Sequence, residues 1–173
     1  MDIFEVIKGR RSIRDYRPDP IPEKDLMRIL EAGIWAPSAG NLQPWEFIIV
    51  RNDDIKKRLS EAAYGQTWVW KAPIVIVVCA NIHKTASIYG ERGANLYCLQ
   101  DTAAAIQNIL LASYYLGYGT CWIGAFNEKR VKEILRMPEH VRPVALIALG
   151  KPAESPDPPP RRSLESVLHW EKY

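Results

Sequence analysis

Asn95-Leu-Tyr-Cys-Leu-Gln-Asp-Thr-Ala-Ala-Ala-Ile-Gln-Asn-Ile-Leu-Leu-Ala-Ser-Tyr-Tyr-Leu116 is helical in pattern yet small or apolar on nearly every side. Ala103, Ala104, Ala105, Ile106, Ile109, Leu110, Leu111 and Ala112 leave no continuous polar face, so water cannot flank this helix as it flanks an amphipathic one. Gly117 ends it. The chain has 173 residues, and a chain of that size buries roughly two-thirds of the surface its unfolded form exposes. Covering one helix on all sides is hard for so small a domain, and a subunit interface supplies a second coat.

Working outward, Thr120 to Gly124 reads as a strand, Asn127 to Met137 as a capped helix and Pro143 to Leu149 as a last buried strand. Upstream, Glu46 to Val50 and Ile74 to Ala80 are short β-branched runs, the second unbroken enough to be buried on both faces. Asp53 to Ala63 between them reads as a surface helix closed by Gly65. Pro22 opens a helix over Glu23 to Trp35, with Leu26, Ile29, Leu30 and Ile34 on one face, stopping near Pro37. Asp2 and Glu5 have the form of a capping box for a first short helix that ends at Gly9. Helices and strands alternate irregularly, which predicts an α+β or mixed α/β sandwich. From Gly150 the run Lys151-Pro-Ala-Glu-Ser-Pro-Asp-Pro-Pro-Pro160 can join neither a helix nor a central strand. Residues 150–173 are therefore an extended arm of one domain, 1–173, and the arm carries Arg161, Arg162, Leu164, Val167, Leu168 and Trp170 outward.

The chain is 47% hydrophobic and 25% charged with a net charge of +3, ordinary for a globular domain and too weakly basic to argue for nucleic acid or a membrane surface. Cys79, Cys98 and Cys121 show no paired spacing, which points to reduced buried thiols. No apolar run approaches the roughly 20 residues that span a bilayer, and the start Met-Asp-Ile-Phe-Glu has no basic-then-apolar pattern, so a cytoplasmic protein is expected. His83, His140 and His169 are scattered, and no nucleophile has an evident base. Neither a metal site nor a hydrolytic triad is expected.

Three segments could hold a ligand. Arg10, Arg11 and Arg14 around Ser12 offer guanidinium forks suited to phosphate oxygens, although a solvated basic turn paired with Glu5 and Asp15 accounts for the same residues. Pro37-Ser-Ala-Gly-Asn-Leu-Gln-Pro-Trp45 brings amides able to donate and accept along a heterocycle edge, or merely makes a turn. Gly117-Tyr-Gly-Thr-Cys-Trp-Ile-Gly124 lacks the glycine spacing of a dinucleotide fingerprint, but its glycines permit a flat ring to approach the backbone, or simply turn a corner. Trp68, Trp70 and Tyr89 could line a pocket or pack in a core or interface.

Taken together the chain resembles the nitroreductase family of FMN-dependent flavoenzymes over almost its whole length. The motifs that carry this are Arg-Arg-Ser-Ile-Arg from position 10, Pro-Ser-Ala-Gly-Asn-Leu-Gln-Pro-Trp-Glu-Phe from 37, the run from Asp101 into Gly-Thr-Cys-Trp-Ile-Gly124, and the Pro-rich arm with Arg161-Arg162. The resemblance implies a mostly antiparallel sheet flanked by helices and an intertwined homodimer with FMN at each end of the interface. It implies that Arg10, Arg11, Ser12 and Arg14 hold the phosphate and ribityl chain and place positive charge near the flavin N1 and O2 edge. Pro37, Ser38, Ala39, Asn41 and Gln43 come from the partner subunit, the Ile123 and Gly124 backbone faces flavin N5 and O4, and Arg161 or Arg162 closes on the phosphate. Hydride passing from NADH or NADPH to the flavin, and then to a small-molecule acceptor such as a nitroaromatic or quinone, is the implied ping-pong reaction, with no catalytic side chain. Two alternatives share these residues: an enzyme that consumes reduced flavin as substrate, and a basic module that grips nucleic acid. The chain departs from larger relatives in the brevity of Asn81 to Asn95, which leaves the pocket less covered.

Overall fold

In the computed structural model, which describes residues 1–173, Ile74–Asn81 forms strand β2, and every residue from Ile74 to Ala80 is buried. Its apolar run lacks alternation because both of its faces are covered. Val75, Val77 and Cys79 point into one core with Leu59, Val69 and Val131, while Ile74, Ile76 and Val78 point into another with Leu26, Ile29, Ile106 and Ile109. Strand β4 (Val141–Gly150) divides in the same way, with Leu146 and Ala148 in the first core and Ala145, Ile147 and Leu149 in the second.

The sheet has the order β1-β2-β4-β3, where β1 is Trp45–Val50 and β3 is Gly119–Ile123, and every neighbouring pair is antiparallel. Between β2 and β4 the register steps at Val78/Cys79, where the partner changes from Ala145 to Pro143. A proline, which has no N–H to donate, is tolerated at such an irregularity. Helices α1 (Ile3–Gly9), α2 (Glu23–Ile34) and α6 (Cys98–Tyr115) belong with the second core's side, since α6 contacts α1, α2 and the sheet. Helices α3 (Asp53–Ala62), α4 (Trp68–Lys71) and α7 (Glu128–Leu135) cover the first. This is the α+β sandwich, a sheet between two helical layers.

The first helix carries the complete capping box between Asp2 and Glu5, and the side chains of Asn52 and Asn127 cap α3 and α7. Two elements differ from the expected pattern. Residues Ile82–Arg92 form a helix, α5, and Gly93–Tyr97 make a wider π turn before α6 begins at Cys98 rather than at Asn95. A Cβ on Gly93 would stand 2.3 Å from the Thr85 carbonyl oxygen, so the turn closes against α5 only with glycine there.

Helix α6 is only partly covered by its own chain. Ala105, Ile106, Ile109 and Leu110 are buried, whereas Ala103, Ala104, Leu111 and Ala112 stay half-exposed and Tyr115 is exposed. Trp35 at the end of α2 is 79% exposed. Beyond Gly150 the chain is bound to residues 15–17 by Arg17 N–H to the Lys151 carbonyl (2.9 Å) and Ala153 N–H to the Asp15 carbonyl (3.0 Å), after which every residue from 157 to 173 is exposed.

Tyr118, just before β3, donates to Asp25 Oδ2 of α2 at 2.7 Å. Burial first, and this bond next, push the phenol from 10.0 up to about 12. An acid whose value is raised on folding contributes stability that is complete below its unfolded value, here 10.0, and lost as pH rises to about 12. Asp25→Asn is expected to bring the Tyr118 titration part of the way back toward 10.0, followed by ultraviolet difference spectroscopy. Separately, Leu146→Ala in the sheet core is expected to cost about 2–5 kcal/mol in urea unfolding.

Candidate functional site

The site begins where α1 ends. A Cβ on Gly9 would lie 2.3 Å from the Tyr114 hydroxyl, so glycine lets α1 close against α6 without displacing the Tyr114 ring and delivers the chain to Arg10. Ile13 N–H then donates to the Thr120 carbonyl at 2.9 Å, and Ser12 pairs with Thr120 along the outer edge of β3. Gly119 allows this, since Ile13 Cγ1 would stand 2.7 Å from a Cβ there. With Ile13 buried and the Tyr16 hydroxyl donating to its carbonyl, the alternating side chains of Ser12 and Arg14 are exposed.

The arm crosses this edge. Glu154 Oε1 accepts from the backbone N–H of Arg14 (2.5 Å) and of Asp15 (3.2 Å). The next residues close a cavity of about 330 Å³ lined by Arg10, Arg11, Ser12, Arg14, Asp157 and Arg161, with Pro156 and Pro159 of the arm completing its wall. Arg162 lies outside it, donating to the Ser166 carbonyl at 2.8 Å, so the structure brings Arg161 and not Arg162 to the run at Arg10. Arg11 caps α1 by donating to the carbonyls of Lys8 (2.6 Å) and Arg10 (2.8 Å), and the Arg14 guanidinium lies 5.4 Å from the ring centre of the half-buried Trp68.

Four guanidinium groups and a single carboxylate, Asp157, line this cavity, so positive charge predominates. Arg10 and Arg11 each keep a buried Nε with no hydrogen-bond partner. Burial, followed by the neighbouring Arg161 and Arg11 charges, pulls the Arg10 guanidinium below its ordinary value. Crowded cations with orphaned donors fit an anion rich in acceptor oxygens, and a phosphate monoester has that character.

The loop at 37–43 sits elsewhere on the chain and lines none of the cavities that contain Arg10. Gly40, Asn41 and Gln43 all have positive φ, and the loop is held by Gln43 N–H to Ser38 Oγ (3.0 Å), Gln43 Nε2 to Asn41 Oδ1 (3.2 Å) and Ala39 N–H to Asp101 Oδ1 (3.0 Å). Burial raises the Asp101 carboxyl above its usual range against the opposing pull of the Ala39 N–H. Pro37, Asn41 and Gln43 are exposed, with Ser38 and Ala39 half-buried. Tyr89 of α5 packs on this loop, its hydroxyl 2.7 Å from where a Gly40 Cβ would stand, and Trp70 is exposed. Ile123 is buried at the end of β3, and Gly124 follows it exposed, with open space beside its Cα.

Glu154 and Asp157 were not singled out as site residues by the sequence and enter the site through the path of the arm. All three cysteines are free and buried. His83 and His140, distant in sequence, stack with ring centres 4.8 Å apart, but no group of three or more potential ligands is placed to hold a metal. No helix is long and apolar enough to cross a membrane.

The Nitroreductase family pattern matches residues 7–69 and 62–151. An NADH dehydrogenase of Thermus thermophilus is 39% identical over 188 aligned positions, covering 93% of this chain and 92% of that protein. An FMN reductase [NAD(P)H] of Bacillus subtilis is 33% identical, covering 99% of this chain and 74% of that one. Among solved structures, the NADPH:FMN oxidoreductase of Vibrio harveyi complexed with NAD+ superposes with a TM-score of 0.91 at 28% identity, over 99% of this chain and 77% of that one. Fold and relatives place the chain among the oxidoreductase enzymes. Within that class it belongs to the nitroreductase family.

An anion that occupies the arginine cavity stabilises the folded chain by mass action. The melting temperature is therefore expected to rise with added inorganic phosphate when chloride is lowered to hold ionic strength constant, and Arg10→Ala is expected to abolish the rise. An equal rise in the variant would remove Arg10 from the anion site.

Proposed function

We propose that the chain is an NAD(P)H-dependent flavoenzyme that binds FMN at a site shared between two copies and passes reducing equivalents to a small organic acceptor. The observation that carries this is the cavity in which Arg10, Arg11, Arg14 and Arg161 converge with orphaned buried donors on Arg10 and Arg11. Residues that suit a phosphate monoester stand beside a strand edge with open backbone at Gly124, as a flat ring with a phosphate tail requires. When bound, FMN supplies the hydride-accepting and hydride-donating centre, and NADH or NADPH and an acceptor such as a nitroaromatic or quinone use it in alternation.

The chain's own residues bind and orient. Arg10, Arg11, Arg14 and Arg161 would hold the phosphate, and Ser12 the adjoining chain. The backbone at Ile123 and Gly124 would border the ring. Arg10 charge near the ring favours added negative charge there. The relatives named for FMN reduction and for an NADPH:FMN reaction support this assignment.

Pro37, Ser38, Ala39, Asn41 and Gln43 lie outside the arginine cavity of their own chain, so their amides would serve the second copy's site. The half-covered flank of α6, the exposed Trp35 and an arm whose Leu164 and Trp170 are exposed favour a homodimer that buries them.

Purified protein is expected to be yellow, or to become so with added FMN, and to bleach under anaerobic NADH or NADPH. A colourless chain that takes up no FMN would overturn the proposal. Arg10→Ala is expected to weaken FMN binding by about 1.5–3 kcal/mol, the worth of a hydrogen bond to a charged group. Trp35→Asp is expected to yield monomer on a sizing column and to lose flavin in proportion; monomer that keeps its FMN would refute the shared site.

A further inference from the structure

The arginine cavity does not end at its cations. A second cavity, of about 410 Å³, opens between the end of α1, the end of α6, β3 and the arm, and the two share Arg10, Arg11, Pro156 and Asp157. Beside the arginines, the second cavity is lined by Thr120, Tyr114 and Ser155, groups that accept or donate a hydrogen bond without charge. Asp157 thus lines both the cationic chamber and a mixed one that also holds Glu154, Ile13 and Tyr118.

Its neighbour on the arm makes its condition clear. Glu154 is engaged by two backbone N–H groups and fixes the arm to Arg14 and Asp15. Asp157 forms none of the six ion pairs of the chain, although four guanidinium groups line the same cavity. Its carboxylate, exposed on the arm, lines both cavities without an ion-pair partner. A carboxylate offers acceptors only, and a phosphate dianion offers acceptors only, so the two repel when placed side by side. A ligand that sets a phosphate on the arginines lowers its energy by presenting hydroxyl donors to Asp157.

We propose that Asp157 is a specificity-determining residue that accepts hydrogen bonds from the hydroxyl groups of a polyol phosphate whose phosphate rests on Arg10, Arg11, Arg14 and Arg161. This rests on the FMN assignment for the identity of the ligand, since the ribityl phosphate of FMN is such a polyol. The same carboxylate disfavours inorganic phosphate and other small anions that carry no hydroxyl groups. The cavity thereby selects the cofactor tail against the more abundant anions that its four arginines would otherwise attract.

The test is calorimetric titration of the full chain and of Asp157→Ala with inorganic phosphate and with ribitol 5-phosphate, neither of which requires enzyme activity. The wild type is expected to bind ribitol 5-phosphate about tenfold more tightly than phosphate, the worth of one hydrogen bond to a charged acceptor. Asp157→Ala is expected to erase that margin while phosphate itself binds several-fold more tightly, because a like charge has gone. Asp157 is exposed on the arm, so the variant keeps the core intact, and an unchanged circular dichroism melt checks this. A margin that survives in Asp157→Ala, or is missing from the wild type, overturns the proposal. Titration with FMN decides the flavin assignment separately: a chain that prefers the polyol phosphate through Asp157 yet takes up no FMN refutes the cofactor and leaves the role of Asp157 standing.

Discussion

Burial of β2 and β4 on both faces is the constraint from which the rest follows. A strand pair whose central residues, Ile74–Ala80 and Pro143–Leu149, are all apolar cannot border water on either side, so it demands two helical layers, and those layers come from helices with distinct faces. Val75 and Val77 call for Leu59 and Val131 on one side, and Ile74 and Ile76 call for Leu26 and Ile109 on the other. With β2 and β4 at the centre, β1 and β3 become the edges, and an edge strand keeps unpaired backbone groups available. The Arg10 run uses one of them when Ile13 donates to Thr120.

That edge contact explains how four arginines come to share one cavity despite mutual repulsion. The backbone, pinned through Ile13 on one side and through Glu154 on the other, places Arg10, Arg11 and Arg14 opposite Arg161 regardless of their charges. Part of the repulsion is taken up locally, by Arg11 donating to the carbonyls at the end of α1 and by Arg14 resting over Trp68. What is left over, centred on Arg10, is an electrostatic demand for an anion. The fold's stability and the site's function meet there, because the sandwich supplies the energy that holds like charges together.

Much of this is legible in the sequence. The apolar run at Ile74–Ala80 announced a doubly covered strand, the Asp2/Glu5 pair marked the start of α1, and the apolar girth of residues 95–116 anticipated a helix that its own chain covers incompletely. All of these depend on residues a few positions apart, which is the range over which helix and strand periods act. The sequence was silent on α5, whose mixed composition and internal Gly90 at positive φ give no clean period, and it placed the start of α6 too early because a π turn keeps the residue types of a helix. Among the candidate site residues, the arginine run and Arg161 are brought together, while Arg162 and the loop at 37–43 are not joined to them within one chain.

By itself, then, the sequence determined the layered class of the fold and the kinds of residue available for an anion and a ring, since periodicity and side-chain chemistry are local properties. Only the tertiary structure decided that Arg161 rather than Arg162 lines the cavity with Arg10, that Glu154 ties the arm to the edge of the sheet, and that Asp157 lines both cavities without an ion-pair partner. Those outcomes turn on the path of a proline-rich segment across a strand far away in sequence, and such a path is set by which backbone groups meet in space.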